Sequence, residues 1–356
     1  MKKQKLIFIH TGKNTFVQSD LLTISERYDI YEFEFNLSKS LYPMILEQFR
    51  LLFWFFKNCF GVSKLFVWFC DYHTFLPVLF FSIKRSTSYI VLGGVDSTYI
   101  PEINYGVLNK RNKIRFFMAS LSLKLSSYIL PVDKSLINAS NHYPNPNKPF
   151  KTGVMNFVNL TNDKFRVIPT SYDSDFWKSE NKIDRENSVI LVASVNSLKR
   201  FLVKGVDFAL EIAEKLYDTT FYIIGVDEFH IPKQYLVRHH SVKFIKKLNK
   251  NDLLSYYQKS KIILVPSLSE GLPNALCEGM LCGCVPVVTD IASLREIVED
   301  CGFIIEKRDV NLAKEMILKA FDNFEDLTDK SRTKIKTKFK KERRKEEIFQ
   351  LFDEKK

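Results

Sequence analysis

Short apolar runs alternate with helical stretches along the whole chain, and this alternation restricts the possible folds more than any single residue does. In the first half the runs fall at 5–11, 29–35, 65–70, 87–92, 128–132 and 165–168. In the second they fall at 188–194, 220–225, 242–245, 261–267, 285–289 and 302–306. Each has the length of one buried strand, and strands separated by helices build open parallel sheets covered on both faces. The pattern predicts an α/β chain with two Rossmann-like, doubly wound domains, 1–170 and 188–335, facing across a cleft. A polar linker at 171–187 joins them, and a charged terminal helix at 336–356 is expected to pack back on the first domain. The 356 residues suit two domains of this size.

The most hydrophobic stretch, "LFVWFCDYHTFLPVLFFSI" at 65–83, is interrupted by Asp71, His73 and Pro77. It divides into a strand, a turn and a buried helix rather than a membrane span, which needs about 20 uninterrupted apolar residues. The opening "MKKQKLIFIHTGK" reads as a first buried strand, its apolar run being too short for a signal peptide. Six cysteines in a chain of this length fit reduced thiols in the cytoplasm better than a disulfide framework. The net charge of +12 is unevenly spread. Residues 1–170 hold 21 Lys and Arg against 11 Asp and Glu, and residues 171–356 hold 32 against 30. A basic first half suits anionic lipid, nucleic acid or an anionic substrate, or serves only as a solvated surface.

In "SEGLPNALCEGMLCGCVPVV", residues 269–288, Glu270 and Glu278 lie eight positions apart. The strand before them ends at Ser267, and Pro273 sits where the first helical turn starts, a position proline favours. The unpaired backbone donors of Gly271, Leu272, Pro273's neighbour Asn274, Ala275 and Leu276 then face outward at a helix N-terminus, which attracts phosphate. Glu278, about one and a half turns into the helix, can accept hydrogen bonds from a ribose diol. Glu270 lies nearer whatever extends beyond the phosphates. Two alternatives compete. Zinc needs four N or S ligands and "CEGMLCGC" offers three cysteines with no nearby histidine. A glycosidase-like acid/base pair needs carboxylates on opposite sides of one bond.

"PSLSEGLPNALCEGM", with the following "VPVV", resembles the Glu-x7-Glu signature of retaining glycosyltransferases of the GT-B fold, glycosyltransferase family 4, the glycosyl transferases group 1. The resemblance covers most of 188–345 and extends more weakly to "VLGGVDSTYIPEINYG" (91–106), "ILPVDKSLINAS" (129–140) and "RVIPTSYDSDFW" (166–177). It implies a metal-independent enzyme of hexosyltransferase type with no cofactor. Its co-substrate would be a nucleotide sugar, UDP- or GDP-linked, and the anomeric configuration would be retained. Glu278 would hold the ribose, Glu270 would face the transferred sugar, and Gly271 to Asn274 would contact sugar and phosphate. Lys204, followed by Gly205, would neutralise the diphosphate.

Two departures stand out. The family's arginine after the first donor-domain strand is replaced by Val195 or Asn196, with Lys199 or Arg200 as candidates for the second cation. In the acceptor domain Gly93 occupies the position of the family's histidine, and the N-terminal loop has only Gly12 with Lys13. Asp96 survives from that pattern as a contact to sugar hydroxyls, His73 is a conceivable substitute base, and Tyr99 and Tyr105 are candidate acceptor contacts. The expected acceptor is a saccharide or lipid-linked saccharide of cell-surface polysaccharide or lipopolysaccharide synthesis. The expected site of action is cytoplasmic, with peripheral contact at the inner face of the membrane through the basic half. A catalytically silent subunit of the same fold is the competing reading. A nucleic-acid-binding protein is the weaker one, because no recognition motif for RNA or DNA appears.

Overall fold

The structure is a computed structural model that describes residues 3–354 except 39, 180–184, 228, 230, 232 and 236–239. Part of the expected linker, 180–184, therefore lies outside the described residues. The chain divides into two compact units: Met1–Ala139 with Lys151–Thr170 and Glu342–Lys356, and Ser140–Phe150 with Ser171–Lys341.

In the first unit five strands, β1 (Gln4–His10), β2 (Tyr28–Glu34), β3 (Lys64–Trp68), β4 (Thr87–Leu92) and β5 (Tyr128–Pro131), form a sheet ordered β2-β1-β3-β4-β5. Every pairing is parallel. Leu6 to Ile9, Leu65 to Val67 and Ile90 to Leu92 are fully buried, as expected of parallel strands covered on both faces. The covering helices include α1 (Thr15–Ser25), α2 (Leu41–Asn58), α3 (Phe75–Ile83) and α4 (Lys113–Leu125). The apolar stretch 65–83 is divided as its polar residues require. Asp71 accepts the Tyr72 N–H at 2.9 Å and gives its own N–H to the Thr74 hydroxyl at 3.1 Å, capping the turn that leads into α3. No helix of the described residues is long and apolar enough to cross a membrane.

The run 165–168 is not a strand. Arg166 and Ile168 donate their N–H groups to Ile129 and Pro131, and Phe165 forms one isolated bridge with Ile129. Pro131 has no N–H to return, and Pro169 follows at once, so the ladder stops there. Two three-residue strands, β6 (Ala139–Asn141) and β7 (Phe150–Thr152), are too short for any sequence pattern to announce.

The second unit holds β8 (Glu186–Val195), β9 (Thr220–Val226), β10 (Val242–Ile245), β11 (Ser260–Val265), β12 (Val285–Thr289) and β13 (Phe303–Ile305), ordered β10-β9-β8-β11-β12-β13. All are parallel. Its helices include α5 (Leu198–Val203), α6 (Val206–Ala213), α7 (Lys250–Lys259), α8 (Asn274–Leu281), α9 (Ala292–Val298), α10 (Val310–Asp322) and α11 (Phe324–Lys338).

The chain's end differs from expectation in where the helix begins. Residues 336–338 close α11, Phe339 breaks the helix, and the terminal helix is α12 (Lys341–Asp353). Residues 140–150, expected in the first domain, belong to the second unit, and Glu342–Lys356 belong to the first. Within the first unit Arg344, 5% exposed, grips both oxygens of Asp20 at 2.6 Å and donates to the carbonyls of Ile168 and Pro169 at 2.7 and 2.8 Å. The Trp68 indole N–H, at 2.9 Å, also serves Asp20. Removing one member of a buried, fully bonded pair strands the other charge. Arg344→Met is therefore expected to lower the unfolding free energy by about 3–5 kcal/mol; urea denaturation at neutral pH measures it.

Candidate active site

In an open parallel sheet, ligands bind outside the carboxyl ends of the strands where the strand order reverses. In the second unit that point lies between β8 and β11: β9 and β10 follow on one side of β8, and β12 and β13 on the other side of β11. The connection after β8 carries Lys204, at the end of α5, and the loop after β11 carries Glu270.

The two loops are tied together by backbone. Leu268 donates its N–H to the Val203 carbonyl at 2.8 Å. Gly205, between α5 and α6, takes φ +65°, and a Cβ there would lie 2.0 Å from the Pro266 carbonyl oxygen. Only glycine permits both the left-handed backbone and that approach. The adjoining Lys204 is thereby brought against the β11 loop, where its ammonium meets Glu270 Oε1 at 2.6 Å. Ser267 donates its hydroxyl to the same oxygen at 2.7 Å, and Ser293 donates to the Glu270 carbonyl at 3.2 Å. The pair is partly open to solvent, with side-chain exposures of 23% for Lys204 and 10% for Glu270.

After Glu270, the buried Gly271 and Leu272 lead to Pro273. The structure makes Pro273 the N-cap and Asn274 the first helical residue, one position later than the sequence suggests. The carbonyl of Pro273 receives the Cys277 N–H at 3.3 Å, so the N–H groups of Asn274, Ala275 and Leu276 precede that bond. The Asn274 side chain is held by the Tyr172 hydroxyl at 2.9 Å. Glu278, on the second turn, is 7% exposed, and burial pushes its carboxyl from 4.5 up to about 8. The charge of Lys250 opposes that rise, as does the Tyr257 hydroxyl, which stops short of hydrogen-bonding geometry.

Lys199 is exposed, and Arg200, one turn before Lys204, is half-buried. The Nε of Arg200 is buried without a hydrogen-bond partner among the described residues. Val195 is buried at the end of β8, so it supplies packing where the resemblance would place a cation, and Asn196 is exposed.

The first unit corrects two expectations. Asp96 is fully buried, and its carboxylate accepts the N–H groups of Cys70 (3.1 Å), Gly93 (3.1 Å) and Gly94 (2.9 Å). It thus fastens the end of β3 to the end of β4 instead of facing a sugar, and burial raises its carboxyl to about 6. His73 is also fully buried, with Nε2 3.1 Å from the Trp68 carbonyl and its ring against Phe35; burial lowers its pKa. This is a core histidine and not a solvent-accessible base. At Gly93 a Cβ would lie 2.3 Å from the Phe69 ring, so Phe69 fills the space a side chain at 93 would use. Tyr99 and Tyr105 are half-buried, and the chain between them folds back through the Ile100–Tyr105 bridge.

The sequence reading missed Ser267, Ser293, Tyr172 and Lys250, which come from separate segments and carry no local pattern. It also missed a cluster beside the strand-order reversal of the first sheet, between β1 and β3. His10 is fully buried, accepts the Gly12 N–H at Nδ1 (3.1 Å) and therefore donates from Nε2 to Glu32 (2.9 Å), which also pairs with Lys13 at 2.8 Å. All six cysteines are buried, and the Cys284 thiol donates to the Tyr257 carbonyl at 3.1 Å.

Residues 188–323 match the family model of the glycosyl transferases group 1. The matched residues lie within the second unit. Two curated relatives are uncharacterised glycosyltransferases. That of Methanocaldococcus jannaschii is 32% identical over 127 residues, 34% of this chain and 36% of the relative. That of Haemophilus influenzae is 33% identical over 144 residues, 37% and 39% of the two chains. The chain thus spans well under half the length of the curated relatives it matches. Among solved structures, sucrose-phosphate synthase of Thermosynechococcus elongatus aligns with TM-score 0.74 at 12% identity over 98% of both chains. Anabaena HepE, solved with UDP-glucose, aligns with TM-score 0.69 at 12% identity over 98% of this chain and 99% of that one. WaaG, a glycosyltransferase of lipopolysaccharide biosynthesis, aligns with TM-score 0.68 at 12% identity over 98% and 100%. At such identities these likenesses speak to the fold, which is that of the GT-B glycosyltransferases.

Two outcomes follow from the geometry. Gly205→Ala forces a methyl group onto the Pro266 carbonyl and is expected to cost about 1–3 kcal/mol of stability while displacing Lys204; chemical denaturation checks it. Glu278 holds its proton more tightly folded than unfolded, so stability is full below about 4.5 and declines as pH rises toward about 8. Glu278→Gln abolishes that decline, so the variant's gain in melting temperature over the parent is expected to be small at pH 5 and largest near pH 8.

Proposed function

We propose that this chain is a retaining, metal-independent glycosyltransferase of family 4 and hexosyltransferase type. It transfers a sugar from a UDP- or GDP-linked donor to a saccharide or lipid-linked saccharide acceptor. The observation that carries the reading is the Lys204–Glu270 pair at the strand-order reversal, beside the α8 N-terminus. It combines a movable cation, a carboxylate and outward backbone donors, the groups a sugar diphosphate needs. The domain match at 188–323 and the fold supply the class.

In the structure Lys204 and Glu270 neutralise each other. A donor's diphosphate competes for the ammonium, and Glu270 is released toward the sugar hydroxyls while Ser267 keeps it oriented. The leaving diphosphate gains negative charge as the glycosidic bond breaks, and Lys204, Arg200 and the helix N-terminus stabilise it there. Lys199 lies beside them in sequence as a further cation. Glu278 accepts the ribose diol. Acceptor recognition falls to the first unit, whose basic excess suits an anionic or lipid-linked saccharide presented at the cytoplasmic face of a membrane. The expected pathway is the synthesis of cell-surface glycans.

A thermal-shift panel of UDP-, GDP- and ADP-sugars tests the reading: one donor is expected to raise the melting temperature, and no response from any of them refutes it. Glu278→Ala is expected to weaken nucleotide affinity by about tenfold or more, and Glu270→Ala to lower turnover by about 10²–10³ with little change in affinity; calorimetry and steady-state kinetics separate the two. A diol that bonds the ionised Glu278 carboxylate also draws its pKa down from about 8. Binding near pH 7 is therefore expected to release a proton, visible as a dependence of the calorimetric heat on buffer ionisation enthalpy.

A further inference from the structure

Helix α2 has two apolar faces where a helix at a domain surface needs one. Met44, Leu51, Phe55 and Cys59 are buried against the first unit. Tyr42, Ile45, Leu46, Phe49, Phe53 and Phe56 recur every three or four residues on the other side, and Phe60 beyond the helix end continues the series. All are exposed, Tyr42, Phe53 and Phe60 by 72%, 74% and 75%. Scattered exposed apolar residues are ordinary, but a stripe along five helical turns is not.

The stripe is continuous with neighbouring helices of the same unit. Phe56 meets Phe80 of α3 with ring centroids 5.9 Å apart, and an apolar groove between the two helices is lined by Leu52, Leu79 and Ile83 among others. On the far side of α3, Phe75 meets Phe117 of α4 at 6.3 Å, and Phe117 and Ile114 are again exposed. The segment that carries this face is predominantly basic. Residues 41–125 contain ten Lys and Arg and four Asp and Glu. Three of the four acids are taken: Glu47 by Arg50, Asp71 by Arg115, and Asp96 by backbone amides in the interior. Arg50 and Lys57, seven residues apart on α2, border one edge of the aromatic stripe.

We propose that the outer face of α2, with the adjoining ends of α3 and α4, docks the protein on an anionic lipid bilayer. The phenylalanines enter the boundary between headgroups and acyl chains, while the lysines and arginines meet lipid phosphates. An aromatic face bordered by cations is the arrangement of helices that lie in the plane of a membrane interface. A protein partner or a second copy would more naturally match such a face with acidic and apolar groups, and three of the chain's own four acids in this region are already taken. The inference deepens the reading of a lipid-linked acceptor, but its test needs neither donor nor turnover.

The full chain is sedimented with vesicles of phosphatidylcholine containing phosphatidylglycerol, and with vesicles of phosphatidylcholine alone. Strong partition into the anionic vesicles is expected, at least about tenfold weaker into the neutral ones and falling with salt. The doubly substituted Phe53→Asp, Phe60→Asp chain, altered only at exposed positions, is expected to lose about tenfold or more in partition with an unchanged melting curve. A Lys57→Glu, Lys113→Glu chain is expected to lose the preference for anionic lipid. The proposal is overturned if the parent chain stays in the supernatant with anionic vesicles, or if the phenylalanine variant pellets as the parent does. It is equally overturned if sedimentation velocity shows a dimer that Phe53→Asp dissociates while vesicles bind neither form. Vesicle binding without a thermal response to any nucleotide sugar would instead count against the glycosyltransferase reading alone.

Discussion

The approach of Gly205 to the Pro266 carbonyl sets the geometry on which the rest of the second unit's site depends. Without it the β8 and β11 loops would diverge, as the strands' opposite onward connections dictate. With it, and with the Leu268 to Val203 backbone bond, Lys204 is carried across to Glu270. Ser267 and Ser293 then fix the carboxylate and the carbonyl of the same residue. The electrostatics of the site thus rest on a steric fact: one position in the loop has no side chain. Glu278 is governed differently, by desolvation on the helix that begins where this loop ends.

Much of the scaffold was legible because parallel strands buried on both faces are written as continuous apolar runs, which need no knowledge of partners. The reading of 285–289 coincides with β12, and that of 242–245 with β10. Where it missed, a long-range partner or a missing donor decided the outcome. Residues 165–168 look like a strand, yet Pro131 opposite cannot complete the ladder. The terminal helix starts at Lys341 because Phe339 breaks the run, a break the charge pattern gives no hint of.

The site divides along the same line. Lys204 at the end of α5, Glu270 in the loop after β11 and Glu278 on the second turn of α8 all stand out in the sequence, but what joins the first two directly is the long-range approach of Gly205 to Pro266. Asp96 and His73 sit in comparable loops of the first unit, but their roles depend on burial, which periodicity does not report. Asp96 is consumed by three amides and His73 by the core. Gly93 is a departure with a physical answer, since Phe69 occupies the space its side chain would have taken. The outer stripe of α2 was hidden for a related reason: a helix apolar on both sides reads as buried until its surroundings are known.

The central claim is that Lys204 exchanges Glu270 for the diphosphate of a sugar donor. A crystal structure of the chain with the nucleoside diphosphate of the donor that stabilises it tests this most directly. The account predicts the Lys204 ammonium within hydrogen-bonding distance of a phosphate oxygen, Glu270 released from it, and the ribose hydroxyls on Glu278. An intact Lys204–Glu270 pair with the nucleotide bound elsewhere would contradict it.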